Sequence, residues 1–392
     1  MDTKRIRRNS RYMLKGALRK SGFDCWRLVT CGISRKTGEE KTFFIEYYVV
    51  NPALSPDDVV LGFKSRFAGN EADLQYALAG TESAKTFTTE SLVQPSFVMV
   101  KAGVLSKGGS QLNAYYPSSQ LKINDSNFIL SVGPGERPDC VLSDDYSVGR
   151  VAVTREQLLH SPEILGNSGW MEWNLRFEQR IEFQKNYSSK DVNWAAFGAK
   201  TDFNGEIIYN GEEYIVTAKK SFGYFDKTWG REFVNPVFHL NASNCLSVIS
   251  GKNLFNSCFA VQGEFNKKLS VLVDVEGLRC EFSADKSKKF SLSYDFTQMP
   301  VDEEGEKLHW TVSVHNKKYI IDIDIYCLQE DMSLREYECP EGGRKLMKVL
   351  SGASGYGELK IFKSKKKNIE LIEQVKVSNC VCEYGNIELP EL

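Results

Sequence analysis

Apolar and polar side chains alternate with a period of two along much of the chain. Met171, Trp173, Leu175 and Phe177 share one face, and Glu172, Asn174, Arg176 and Glu178 the other. Ile181 and Phe183 prolong the apolar face. Such alternation predicts an antiparallel strand with one side on a core and one in water. Strand character also predicts strands at 94–102, 128–132, 213–218, 237–240, 258–265, 269–275, 278–282, 290–296, 310–314 and 319–327. Turn signals separate them, among them Gly251-Lys252-Asn253 and Asn266-Lys267-Lys268. Many short strands at this spacing predict an all-β sandwich or barrel. No repeated strand–helix alternation points to an α/β fold.

The segment 41–50 is apolar on both faces. Phe43, Ile45, Tyr47 and Val49 lie on one side, and Phe44, Glu46, Tyr48 and Val50 on the other. One side suits a core and the other a cavity or a second sheet. Glu46, a carboxylate among aromatics, reads first as a paired structural charge. Ser55-Pro56-Asp57-Asp58 predicts the opening of a short helix. The rest of 53–90 reads as irregular, with 80–91 as a loop. The polar run 186–191 predicts a domain boundary at 185–200. The expected organisation is a tail at 1–10, an N-terminal domain at 11–190 and a C-terminal domain at 191–392.

Composition narrows the function classes. Of 392 residues, 42% are apolar and 12% aromatic, enough for a substantial core. Lys plus Arg is 50 and Asp plus Glu is 51, so nonspecific nucleic-acid binding is not expected. Lys4, Arg5, Arg7 and Arg8 are followed by Met13-Leu14, which Lys15 and Gly16 interrupt at once. That argues against a signal peptide, and no run approaches the roughly 20 apolar residues of a membrane span. A cytoplasmic protein without stable membrane insertion is expected. The ten cysteines include no Cys-x-x-Cys pair, and reduced, buried thiols are expected. His160, His239, His309 and His315 show no ligand spacing, so no metal is expected. Gly133-Pro134-Gly135 leads into no helical pattern, so no nucleotide or other cofactor is expected. The basic run 364–368 reads as a solvated turn.

One stretch concentrates the candidate chemistry: Gly223-Tyr224-Phe225-Asp226-Lys227-Thr228-Trp229-Gly230. The glycines predict tight backbone positions at both ends. In an extended segment Tyr224, Asp226 and Thr228 share one face, and Phe225, Lys227 and Trp229 the other. A carboxylate beside large rings has the composition of a desolvated acid, with its pKa raised. An ordinary hairpin with a solvated Asp has the same composition.

This stretch resembles the signature of the superfamily containing hydroxyneurosporene synthase (carotenoid 1,2-hydratase) and tocopherol cyclase. Asp226-Lys227-Thr228-Trp229-Gly230 stands where the tocopherol cyclase form has an acid, Lys, Asn, Trp and Gly. Fungal Diels–Alderases of polyketide pathways are similar in architecture. Gly352-Ala353-Ser354-Gly355-Tyr356-Gly357-Glu358-Leu359 is similar to the Gly-Tyr-x-Glu-Leu segment near the end of such proteins. The resemblance implies two lipocalin-like antiparallel β-barrel or sandwich domains in tandem, with a site near their junction. It also implies proton-initiated hydration, cyclisation or isomerisation of an isoprenoid-like or polyketide-like substrate.

The residues allow that chemistry. A buried, neutral Asp226 protonates an alkene, and Tyr and Trp faces shield the cation formed. Pairing with an arginine such as Arg231 would instead keep Asp226 ionised. Two roles are open for His239: a core histidine, or a partner of Asp226 or of a substrate oxygen. Trp170, Trp173 and Trp194 suit a cavity wall or a core equally, and Glu358 reads as structural. The candidate catalytic residues are Asp226, Tyr224 and His239. Trp229, Phe225, Trp173 and Tyr47 are candidates for contact with a hydrophobic small molecule. The other function classes left open are a noncatalytic carrier using the same cavity and a scaffold protein with a filled core and no cavity.

Overall fold

A computed structural model describes residues 10–62, 93–161, 164–284, 289–365 and 368–388. The chain is all-β, and the described strands form two antiparallel sheets, matching the expected class. The first sheet holds β1 (Phe23–Ser34), β2 (Glu40–Val50), β3 (Phe97–Val104), β4 (Ser110–Tyr116), β5 (Leu121–Asn124), β6 (Ile129–Val132), β7 (Cys140–Ser143), β8 (Tyr146–Val153), β9 (Gly169–Ile181), β10 (Tyr187–Ser188), β11 (Val192–Tyr209), β12 (Glu212–Val216) and β13 (Gly223–Gly230). The second holds β14 (Val237–Ala242), β15 (Asn244–Ser247), β16 (Ser257–Glu264), β17 (Lys268–Val275), β18 (Leu278–Phe282), β19 (Ser291–Gln298), β20 (Lys307–His315), β21 (Tyr319–Leu328), β22 (Ser333–Glu338), β23 (Leu346–Lys365) and β24 (Asn368–Glu388).

In the first sheet the order runs β4-β3-β2-β1, then β12 and β13, then β11-β9-β8-β7-β6-β5. β12 and β13 lie end to end between β1 and β11. The sheet curls, because β2 meets the β7–β8 region across its interior. There the Tyr47 hydroxyl donates to the Val141 carbonyl at 2.9 Å and lies 3.1 Å from Ser147 Oγ, which also accepts Trp173 Nε1 of β9 at 2.9 Å. The second sheet runs β18-β17-β16-β14-β24-β23-β21-β20-β19, with β15 on β24 and β22 on β23.

Strand alternation builds three cores. β2 sends Phe43, Ile45, Tyr47 and Val49 into the first sheet's interior. It sends Phe44, Tyr48 and Val50 into a second cluster, which joins them to Val237, Tyr337, Met347 and Val349 of the other sheet. The third core fills the second sheet, with Phe238, Trp310, Ile323 and Leu359 among its members. The two-faced reading of 41–50 therefore describes a strand between a core and a second sheet. Cys380 and Cys382 point together into the third core, whereas Val381 faces the junction. All ten cysteines are unpaired.

Three expectations change. The chain crosses from one sheet to the other at 231–236, not at 185–200. Residues 192–230 pair in the first sheet, because β11 and β13 lie against each other and β13 against β1. Second, Ser55 to Asp58 forms bends rather than a helix. The predicted loop at 80–91 lies outside the described residues, as do positions 366–367 of the basic run. Third, β1, β4, β5, β7, β8, β10, β11, β15, β22, β23 and most of β24 add strands that the alternation did not signal.

Candidate functional site at the sheet junction

Register sets a row of charges across the first sheet. Asp226 on β13 stands opposite Arg27 on β1, Arg27 opposite Glu46 on β2, and Glu46 opposite Lys101 on β3. The signs alternate across neighbouring strands, so each side chain has an opposite charge beside it. The second sheet presents a facing row. Ser351 on β23 stands opposite Glu383 on β24, Glu383 opposite His239 on β14, and His239 opposite Gln262 on β16. Arg335 on β22 completes the set. These groups are buried between the sheets.

Arg27 is the bridge. Its Nε and Nη2 donate to the two Asp226 oxygens at 3.1 and 2.9 Å. Its Nη1 donates to Glu383 at 2.6 Å, and Nη2 lies 3.3 Å from His239 Nε2. Arg335 donates to Glu46 at 2.5 Å, to Ser351 Oγ at 2.9 Å, and to Glu383. The Tyr337 hydroxyl donates to Glu46 at 2.7 Å. Asp226 Oδ2 also receives Trp194 Nε1 at 2.6 Å and the Tyr224 hydroxyl at 2.7 Å. Asp226 thus receives four donor hydrogen bonds, the pattern of a carboxylate rather than a neutral acid. Its cation is Arg27, 199 positions away in the chain, and not Arg231.

Electrostatics follow from burial and these contacts. Burial alone would raise the Glu383 carboxyl, but the guanidiniums of Arg27 and Arg335 outweigh it and hold it far below the usual range. Burial, with Arg27 second, pushes His239 down to about 4. Burial also pushes Lys101 down to about 7, against the pull of Glu46. His239 Nδ1 has no hydrogen-bond partner among the described residues.

A cavity of about 80 Å³ opens beside the charges. Phe23, Phe233, Val234, Val237, Met347 and Val349 form its apolar side. Arg27, Glu46, Asp226, Arg335, Tyr337 and Glu383 line its polar side. Among the described residues no group of three or more His, Cys, Asp or Glu side chains gathers as a metal requires. No helix among them is long and apolar enough to cross a membrane.

The structure brings Asp226, Tyr224 and His239 together; the Tyr224 and His239 ring centroids lie 5.6 Å apart. Only Asp226 of the three lines the cavity. The four proposed contact residues go elsewhere. Phe225, Trp229, Trp173 and Tyr47 point into the first sheet's own core, one residue out of phase with the junction face. Lys227 shares that phase and pairs with Asp24 at 2.9 Å. The glycines bounding the motif are required by close approach. A Cβ on Gly223 would lie 2.3 Å from the Thr201 carbonyl oxygen, and one on Gly230 2.1 Å from that of Asp191. Of the tryptophan cluster, Trp194 alone reaches Asp226. Glu358 is half exposed and pairs with Lys360 at 2.7 Å.

Sequence reasoning missed Arg27, Arg335 and Glu383. Arg27 and Glu383 are each a charged residue set in an apolar or aromatic stretch, as in Cys25-Trp26-Arg27-Leu28-Val29, whereas Arg335 lies between Leu334 and the charged run Glu336-Tyr337-Glu338. The apolar setting is the signal that Glu46 also carries.

The His239 shift has a testable consequence. Between pH 4 and 6.5 the unfolded chain binds a proton at His239 that the folded chain excludes. Stability therefore rises with pH across this window and is lost as pH falls from 6.5 to 4, by on the order of 3 kcal/mol. Urea unfolding at both ends of the window should show this slope, and His239→Gln should remove that part of it. An unchanged slope in the variant would refute the assignment.

No family model matches the chain, and no curated protein does. Among solved structures it is similar to CghA with Sch210972, at 7% identity and a TM-score of 0.45, over 94% of this chain and 89% of that one. It is also similar to kievitone hydratase from Nectria haematococca, at 9% identity and a TM-score of 0.35, over 92% and 88% of the two chains.

Proposed function

We propose that this chain is a catalyst that works without a bound cofactor at the junction cavity. It brings about hydration, cyclisation or isomerisation of a hydrophobic, isoprenoid-like or polyketide-like alkene. Membership of the superfamily containing tocopherol cyclase and hydroxyneurosporene synthase, suggested by 223–230 and 352–359, is part of the proposal. The observation that carries it is a cavity with one apolar side and one fixed, charged side.

The charged side has a sign. Within the cavity lining, three carboxylates, Asp226, Glu46 and Glu383, face two guanidiniums, Arg27 and Arg335, which leaves one negative charge there; Lys101 stands beside Glu46 outside the lining, with its ammonium pushed down to about 7 by burial. A fixed negative wall stabilises positive charge developing on a substrate, and does so without reorganising during the reaction. The rings of Phe23, Phe233 and Tyr337 add π faces to the same space. Asp226 then acts as a carboxylate that stabilises the cation and orients Arg27, rather than as the proton donor. Tyr337 is a proton-bearing group on this wall, already hydrogen-bonded to Glu46.

The cavity volume favours a catalyst over a carrier. A site that encloses a drug-sized ligand needs about 300–1,000 Å³. The 80 Å³ here surrounds a few non-hydrogen atoms. A carrier must cover most of its ligand, whereas a catalyst need only surround the reacting bond. A second reading is favoured by one observation: all six guanidinium nitrogens of Arg27 and Arg335 already hold protein partners. On that reading the network is an interlock between the sheets and nothing more.

Val349→Phe tests the choice, because the larger ring fills the apolar side of the cavity. The wild type, incubated with a panel of alkenes and enols, should yield products heavier by one water, or of unchanged mass and altered retention. In Val349→Phe these products should fall at least a hundredfold. Overpacking should cost about 1–3 kcal/mol, so the comparison is made per folded molecule. Product formation that survives Val349→Phe undiminished would exclude this cavity as the site.

A further inference from the structure

A second cleft, of about 470 Å³, lies elsewhere along the line where the sheets meet. Arg180, Lys200, Asp202 and the turn bearing Lys219, Lys220 and Phe222 form its first-sheet side. Ser243 to Cys245 and the loop Asn253 to Asn256 form the other. It shares no lining residue with the junction cavity.

Its charge is one-sided. Four cations face one carboxylate, and Asp202 already accepts Arg180 Nε at 2.7 Å. The ammonium groups of Lys200, Lys219 and Lys220 have no ion-pair partner among the described residues. Uncompensated cations brought together in this way repel one another. The chain as a whole carries a net charge of -1, so this concentration is local. A second observation points to a ligand. Ser243 lines the cleft, is only 4% exposed, and its Oγ has no hydrogen-bond partner among the described residues. A buried hydroxyl left unpaired costs free energy that an incoming acceptor would recover. The cleft also has an apolar element in Phe222, Leu254 and Phe255, and Phe255 is 68% exposed.

We propose that this cleft binds a small organic anion of the aryl or alkyl phosphate or diphosphate class. Lys200, Lys219, Lys220 and Ser243 receive the charged end, and Phe222 and Phe255 receive the apolar end. The volume lies within the range of small-molecule sites, roughly 300–1,000 Å³. Lysines contribute as point charges, so several are needed where one arginine fork would bind two oxygens.

The probe is 1-naphthyl phosphate, titrated against the full chain and followed by calorimetry. Saturable binding is expected, weakening as salt rises from about 50 to about 200 mM. 1-Naphthol lacks the charge and should not bind at this site, and inorganic phosphate should bind more weakly. Lys219→Gln with Lys220→Gln, both on an exposed turn, should weaken binding about tenfold or more. Phe255→Ala should weaken the naphthyl ester and leave inorganic phosphate unchanged. Circular dichroism checks that each variant is folded. No saturation below about 5 mM would overturn the proposal. So would equal affinity for 1-naphthol, or binding that the lysine pair does not affect.

Discussion

Replacing Arg27 with Met should lower the folding stability by about 3–5 kcal/mol, the usual cost of leaving a buried charge unpaired. Arg27 compensates two carboxylates, Asp226 on its own sheet and Glu383 on the facing sheet. Met fills part of the same volume, so little of the loss comes from packing. Without Arg27, Glu383 keeps Arg335, but Asp226 keeps only the neutral donors Trp194 and Tyr224. Arg180 offers a contrast. It also contacts two carboxylates, Asp202 and Glu178, but its side chain is 49% exposed. Its substitution by Met should cost under about 1 kcal/mol. Urea unfolding of both variants reads the difference directly. Equal costs would show that solvent reaches Arg27 as freely as Arg180.

The difference between these two arginines explains what the sequence could reveal. Alternation over 171–177 and 319–327 was legible because one face of β9 and β21 is solvated. The burial of β1 is nearly continuous, since its two faces lie on two different cores. A strand covered on both sides loses the period-two signal. β1 therefore passed unnoticed, and with it the cation that pairs with Asp226. The phase of 223–230 was legible, and it does place Asp226 and Lys227 on opposite faces. Which face met the second sheet was not legible, because both faces carry large rings. Trp229 and Phe225, on the face opposite Asp226, therefore read as cavity residues by composition, although they fill the first sheet's own core. The boundary at 185–200 rested on a polar run that links β9 to β11 through the short strand β10, itself paired with β11 in the first sheet. The sheet change at 231–236 depends on long-range pairing of β13 with β1, which no local composition records.

Asp226→Asn should lower turnover by roughly two to three orders of magnitude per folded molecule, the usual worth of one preorganised electrostatic group. The substitution keeps the shape and removes the charge. Three donors, Arg27 Nη2, Trp194 Nε1 and the Tyr224 hydroxyl, converge on Oδ2, and one, Arg27 Nε, on Oδ1. An asparagine satisfies most of them by placing its carbonyl oxygen at the Oδ2 position. Its amide then faces Arg27 Nε, donor against donor, and one hydrogen bond is lost. Stability should fall by about 1–3 kcal/mol, less than in Arg27→Met. The cavity wall, meanwhile, loses the negative charge that is proposed to stabilise the developing cation. Apolar burial on the other side is untouched, so binding of the hydrophobic substrate should survive. The two measurements separate the readings. In a catalyst, turnover collapses while affinity and most of the stability remain. In an interlock, stability falls by the same amount, and any turnover per folded molecule is unchanged. A variant that binds, folds and turns over like the wild type would remove Asp226 from the chemistry, and leave the Arg27 network as a fastening between the sheets.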